Sequence, residues 1–179
     1  MANILLAVTG SISAYKAADI TSQLTKLGHQ VKVLMTPAAT AFITPLTLQV
    51  LSKQAVLVEV MTEEDPKQIQ HIDLGKEADL FLVAPASANT IAKLAHGFAD
   101  NIVTSTALAL PSEVKKFLAP AMNTKMLDHP ATKNNLETLK SYGYQIIPPR
   151  EALLACGDQG AGALATVDTI VQTIKENCL

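Results

Sequence analysis

The sequence has no tryptophan, and aromatic residues make up only 4% of it. A core without large rings must be built from Val, Ile, Leu and Ala, or gain burial by association between copies. Two cysteines, Cys156 and Cys178, are too few for a disulfide framework. They fit a reducing, cytoplasmic setting, and no metal-ligand set is read. No Lys/Arg-rich run occurs and the formal net charge is −2. Nothing therefore draws the chain to nucleic acid or to an anionic membrane. No apolar run approaches the ~20 residues needed to span a bilayer. Met1-Ala2-Asn3 leads into an apolar stretch without the basic start or cleavage pattern of a signal peptide.

What is present is an apolar chain of 179 residues, 49% hydrophobic and 17% charged, which suits one well-buried domain over 1–179. The run at 4–8 is short and continuous, as expected for a strand buried on both faces, and the apolar segments 31–35, 56–60, 80–84, 114–119 and 145–147 also read as strands. Segments 14–27, 88–95, 102–110, 131–142 and 167–176 read as helices, with Gly28 as a stop signal after the first. The alternation predicts an α/β, Rossmann-like (flavodoxin-like) doubly wound parallel sheet in three α/β/α layers. Residues 148–164 stand apart, with Pro148, Pro149, Gly157, Gly160 and Gly162 and no clear period. A loop of that length in a compact domain is usually functional.

In open parallel sheets, ligands bind beyond the carboxyl ends of the strands. Segments 10–13, 36–37, 85–90 and 120–126 all fall there, and all are rich in small polar residues. Gly10-Ser11-Ile12-Ser13 joins a strand to a helix and offers backbone N–H groups and two hydroxyls to a phosphate. A plain Ser cap explains that turn equally well. It has one glycine rather than Gly-x-Gly-x-x-Gly, which favours a mononucleotide over NAD or FAD. Pro85-Ala86-Ser87-Ala88-Asn89-Thr90 repeats the theme with three side-chain donors, where a cap needs one.

This last stretch, followed by Ala99-Asp100-Asn101, resembles the Pro-Ala-Ser-Ala-Asn-Thr motif of the homo-oligomeric flavin-containing cysteine decarboxylases. A second motif, Pro-x-Met-Asn-x-x-Met, stands as Pro120-Ala121-Met122-Asn123-Thr124-Lys125-Met126. A third stands as Ala155-Cys156-Gly157-Asp158-Gln159-Gly160-Ala161-Gly162 and resembles the substrate clamp of the phosphopantothenoylcysteine decarboxylases within that family. His71-Ile72-Asp73-Leu74 matches a His-Ile-x-Leu setting before the fourth strand. The resemblance covers essentially the whole chain. Two departures occur: Leu127 where some relatives carry Trp, and Ala163-Leu164 where many carry Arg-Met.

The resemblance implies FMN as cofactor, contacted by Gly10, Ser11, Ser13, Thr36, Phe42, Ser87, Asn89 and Thr90. It implies a homo-oligomer, a trimer that can assemble to a dodecamer, with FMN near the subunit boundary. It implies phosphopantothenoylcysteine as the small-molecule substrate, held by Asn123, Met126, Ala155, Gly157 and Asp158, with 148–164 as the clamp loop. Direct CO2 loss from an N-acylated cysteine would leave an undelocalised carbanion. Oxidation of the CH2–SH group to a thioaldehyde puts the carboxylate β to C=S, so CO2 loss gives a sulfur-stabilised enethiolate. Re-reduction then makes the net reaction redox-neutral. His71, Asn123 and Cys156 are the expected catalytic residues. Asn123 holds the carboxylate without a full countercharge, although its spacing alone suits an ordinary cap. An imidazole suits removal of the thiol proton near neutral pH, and His71 is the histidine of four that falls in a motif. A thiol is largely protonated at neutral pH, so Cys156 can protonate the enethiolate carbon, whereas a free cysteine outside a motif is more often a small buried hydrophobe.

Three rivals differ in residues. Flavin prenyltransferases resemble Gly-Ala-Ser-Gly and Ser-Met-Lys-Thr in the first two loops, where Ser11-Ile12-Ser13 and Ser87-Ala88-Asn89-Thr90 stand here. Oxidative peptidyl-cysteine decarboxylases have no need of the clamp cysteine. Regulatory, phosphatase-inhibitor-like relatives lose catalytic residues or gain acidic tails.

Overall fold

In β1, Asn3–Val8, alternate side chains go to opposite sides: Ile4, Leu6 and Val8 to one buried cluster, Leu5 and Ala7 to another. The computed structural model describes residues 1–62, 69–155, 157 and 159–178. Four further strands lie parallel to β1: β2 (Gln30–Met35), β3 (Leu80–Ala86), β4 (Lys115–Pro120) and β5 (Tyr144–Ile146). Their order is β2-β1-β3-β4-β5. All seven residues of β3 are buried, which is why that strand reads as an uninterrupted apolar run.

Eight helices occur among the described residues: α1 (Ala17–Lys26), α2 (Pro45–Ser52), α3 (Gln70–Glu77), α4 (Ala88–Ala95), α5 (Ile102–Leu108), α6 (Thr124–Asp128), α7 (Pro130–Ser141) and α8 (Val167–Asn177). Ile20 and Leu24 of α1, Leu48 of α2 and Ile170 and Ile174 of α8 join the Ile4–Leu6–Val8 side. Ile91 of α4, Ile102 and Val103 of α5 and Leu139 of α7 join the other. Each fully buried Leu, Ile or Phe contributes about 1.5–3 kcal/mol relative to exposure. The three-layer, Rossmann-like arrangement expected from the alternating pattern is the observed one.

Three local expectations change. Residues 56–60 make one isolated bridge, Leu34 to Leu57, and not a strand. Val56 and Val58 pack on one core cluster and Leu57 and Val60 on the other, so the apolar alternation is satisfied by covering the sheet edge beyond β2. The first helix begins as a 3-10 turn, Ile12–Lys16, before α1. The irregular stretch 148–164 contains an antiparallel hairpin, β6 (Arg150–Leu153) with β7 (Gln159–Ala163).

The chain runs from β1 to β2 on one side, then crosses to β3 on the other side of β1. This makes the β1–β3 crevice the topological switch point, where such sheets bind ligands. Buried Thr9 clasps it. Its Oγ1 donates to the Pro85 carbonyl at 2.7 Å and accepts from the Ser87 N–H at 2.9 Å.

Candidate active site

A cavity of about 820 Å³ opens at this crevice. It is lined by the three ends of the sheet rim (Gly10 to Ser13, Thr36 to Ala38, and Ser87 to Thr90), by Ala121 to Asn123 and Met126, and by the hairpin. Its size lies within the range typical of small-molecule and cofactor sites.

The rim loops are organised by capping. Ser11 accepts from the Ser13 N–H at 3.3 Å and opens the 3-10 turn. Ser87 accepts from the Thr90 N–H at 3.2 Å and its hydroxyl donates to Thr90 Oγ1 at 3.2 Å. The start of α4 thus lies on the cavity wall, and a helix start favours an anion. The capping residues are themselves on the cavity wall, so a cap does not exclude these turns from facing a ligand. Thr36 is buried, lines the cavity, and its Oγ1 has no hydrogen-bond partner among the described residues. A buried hydroxyl in that position is available to a ligand group in the cavity. Serine and threonine hydroxyls, an asparagine amide and helix-start N–H groups form a donor set that fits a phosphorylated, hydroxyl-bearing mononucleotide.

Asn123 caps α6, its Oδ1 accepting from the Lys125 N–H at 2.8 Å. The cap fixes the orientation of the amide, with Oδ1 turned to the start of α6. Met126 lies on the cavity wall one turn on. The hairpin is stitched to this turn, because the Met122 N–H donates to the Gly162 carbonyl at 2.9 Å. Gly162 has φ +137, and a Cβ there would collide with the Met122 carbonyl. A Cβ on Gly160 would stand 2.7 Å from Thr124 Oγ1. These two glycines are thus required by close approach, which is also why the hairpin shows no apolar period.

Of the residues expected at the site, Gly10, Ser11, Ser13, Thr36, Ser87, Asn89, Thr90, Asn123, Met126 and Ala155 line this one cavity. Phe42 and His71 do not. Phe42 follows the 3-10 turn Pro37–Ala41 and is exposed, and His71 sits at the start of α3 with a buried Nδ1 that has no partner among the described residues. Gly157 is exposed with φ +88 and is not on the wall. Cys156 and Asp158 lie outside the described residues.

The structure adds cavity residues that sequence reasoning passed over. Lys93, one helical turn beyond Asn89, pairs with Asp100. That pairing holds the Asp100 carboxyl below its usual range. Asn101 beside it forms a capping box with Thr104 at the start of α5. The proximity of Ala99-Asp100-Asn101 to the Ser87 motif was the available signal. Lys16 and Arg150 also line the cavity. Arg150 stands in register with Ala163, one of the two departures from the relatives' pattern. Leu164, the next residue, is fully buried in the core, and Leu127 is off the wall.

The flavoprotein family model matches residues 1–179, the full length. The chain belongs to the flavoprotein family. This flavoprotein is 67% identical over 173 residues to the probable phosphopantothenoylcysteine decarboxylase of Streptococcus mutans, covering 97% of each chain. It is 46% identical over 175 residues to the coenzyme A biosynthesis bifunctional protein CoaBC of Bacillus subtilis, matching 98% of this chain and 43% of that protein. Among solved structures it resembles a PPC decarboxylase cysteine-to-serine mutant complexed with pantothenoylaminoethenethiol, with a TM-score of 0.88, 33% identity, and 98% and 97% of the two chains covered. It also resembles the FMN-binding protein AtHal3, with a TM-score of 0.84, 32% identity, and 98% and 95% covered. No helix among the described residues is long and apolar enough to cross a membrane.

Proposed function

We propose that this flavoprotein catalyses FMN-dependent decarboxylation of 4′-phosphopantothenoylcysteine to 4′-phosphopantetheine in coenzyme A synthesis, acting in the cytoplasm. The observation that carries the reading is one cavity in which a mononucleotide cradle meets the Asn123–Met126 turn, in a chain that is similar end to end to a protein of that name.

Gly10, Ser11, Ser13, Thr36, Ser87, Asn89 and Thr90 would hold the FMN, the phosphate at the α4 start and the orphan Thr36 hydroxyl on a polar edge. Bound there, a flavin supplies a two-electron acceptor for the substrate's CH2–SH carbon and later returns the electrons. Asn123 orients the substrate carboxylate by donation from Nδ2. A neutral amide leaves that carboxylate less stabilised in the ground state than an arginine would, which favours its departure. His71 takes the thiol proton, and Cys156 delivers a proton to the enethiolate carbon. Residues 148–164 act as the clamp. The hairpin's attachment to Met122 supports this, since any movement of β7 reaches the Asn123 turn.

His71 and Phe42 lie off the cavity of their own chain, which supports completion of the site by a neighbouring copy in a trimer, further assembled to a dodecamer. Leu46 and Val50, one turn apart on α2, and Phe42 shortly before that helix are large and exposed, apolar surface of the kind that marks an interaction site.

The test is incubation of the FMN-loaded protein with phosphopantothenoylcysteine and mass analysis of the product. Loss of CO2 alone is expected. Loss of CO2 with two hydrogens would replace this reading with oxidative peptidyl-type chemistry. No turnover despite bound FMN would favour a regulatory flavoprotein.

A further inference from the structure

Three cationic side chains line the cavity: Lys16, Lys93 and Arg150. Lys93 is neutralised by Asp100. Lys16 and Arg150 have no carboxylate partner among the described residues. They come from opposite ends of the chain: Lys16 closes the 3-10 turn after β1, and Arg150 opens β6. The Arg150 root is fixed, since its Nε donates to the carbonyl of fully buried Leu164 at 3.2 Å. That contact uses one of five guanidinium N–H groups. Burial, and then the charge of Arg150, lowers the Lys16 pKa. Both side chains line the one cavity, in keeping with that repulsion, and nothing described on the wall offsets them.

We infer that Lys16 and Arg150 form an anion subsite that takes the phosphate monoester at the far end of the substrate and selects the phosphorylated form. The inference rests on the reaction proposed above. The cofactor's phosphate already has hydroxyls, an amide and a helix start in the rim loops. Arg150, by contrast, rides on the hairpin, whose other cavity residues include apolar Leu153, Leu154 and Ala155. An apolar wall ending in a fixed guanidinium suits an extended alkyl-amide chain that ends in an anion. A guanidinium fork matches phosphate oxygens two at a time, and a neighbouring ammonium adds a point charge.

The subsite can be tested without turnover. Calorimetry on the FMN-loaded protein would compare 4′-phosphopantothenate with pantothenate, in the natural chain and in Arg150→Gln and Lys16→Met. The natural chain is expected to bind the phosphorylated probe more tightly. Each variant is expected to lose about 10- to 100-fold of that affinity, the loss of one charge-assisted contact, with pantothenate binding and flavin content unchanged. Arg150→Lys should recover part of it. Equal affinity for both probes in the natural chain overturns the inference, and so does equal weakening of both in the variants. Loss of flavin from the variants also overturns it, by assigning the charges to the cofactor. If the natural chain discriminates between the probes yet decarboxylates nothing, the subsite stands and the proposed reaction falls.

Discussion

The loops that end β1 and β3 and the β6–β7 hairpin face one cavity, yet they are held in different ways. The loops are tied to a buried sheet by Thr9, whose hydroxyl joins the Pro85 carbonyl and the Ser87 N–H, and by serine caps on the turns that follow. The hairpin lies outside the parallel sheet and meets the Asn123 turn through glycine backbone. One wall is thus preorganised by local hydrogen bonds within a buried sheet, and the other by two glycine close approaches and one backbone hydrogen bond to a distant turn. A wall built into the sheet suits a cofactor that stays, and a wall docked from outside the sheet suits a substrate that must enter and leave.

The strongest way to break this comparison is Gly162→Val. The left-handed backbone and the collision with the Met122 carbonyl both oppose any side chain there. β7 must lift away and carry the Asn123 turn out of place. A displacement of an ångström in positioning groups costs on the order of 100-fold in rate, so decarboxylation should fall at least that far. Flavin content, read by absorbance per mole of protein, should stay near normal. Joint loss of flavin and activity would show that the walls are not separable.

A smaller effect is expected from Thr9→Val, which keeps the shape and removes the hydroxyl. It leaves the Pro85 carbonyl and the Ser87 N–H without their partner at a buried junction. Unsatisfied buried groups of this kind cost about 1–3 kcal/mol each at most. The urea midpoint should drop and flavin should dissociate more readily. Once reloaded with FMN, the variant should bind pantothenate as the natural chain does. Unchanged flavin affinity would mean that the β1–β3 clasp does not organise the cradle.

The same difference decides what was legible beforehand. β1 and β3 are buried on both faces, so their residues form unbroken apolar runs, and their capping serines follow directly in sequence. The cradle could therefore be read from local pattern. The run at 56–60 misled because its side chains alternate as in a strand but cover a sheet edge with one bridge. In β7, Gly160 and Gly162 replace any apolar period, for reasons that lie at Thr124 and Met122 in a different part of the chain. Arg150 and Lys16 reach one cavity only through tertiary folding, and neither sits in a motif. His71 was singled out by motif alone, and the fold of one chain leaves it off the cavity.

The smallest effect sharpens the comparison at its charges. The α4 side of the cavity is neutral because Asp100 offsets Lys93, while Lys16 and Arg150 make the side between the first rim loop and the hairpin cationic. Asp100→Asn leaves Lys93 in the cradle without its counterion. An exposed pair contributes less than about 1 kcal/mol after solvent screening, so stability should change little. The lowered Asp100 pKa sets the sign: the contribution is present above the unfolded carboxylate pKa and is lost as pH falls through the folded one. The small stability gap between Asp100→Asn and the natural chain should therefore be full at pH 7 and shrink below about pH 4. At pH 7 the unpaired Lys93 should make FMN bind slightly tighter, and more so at low salt, with no change in the preference for phosphorylated over unphosphorylated probe. If that preference shifts instead, Lys93 shares its field with Lys16 and Arg150, and the neutral α4 side and the cationic side are one electrostatic surface rather than two.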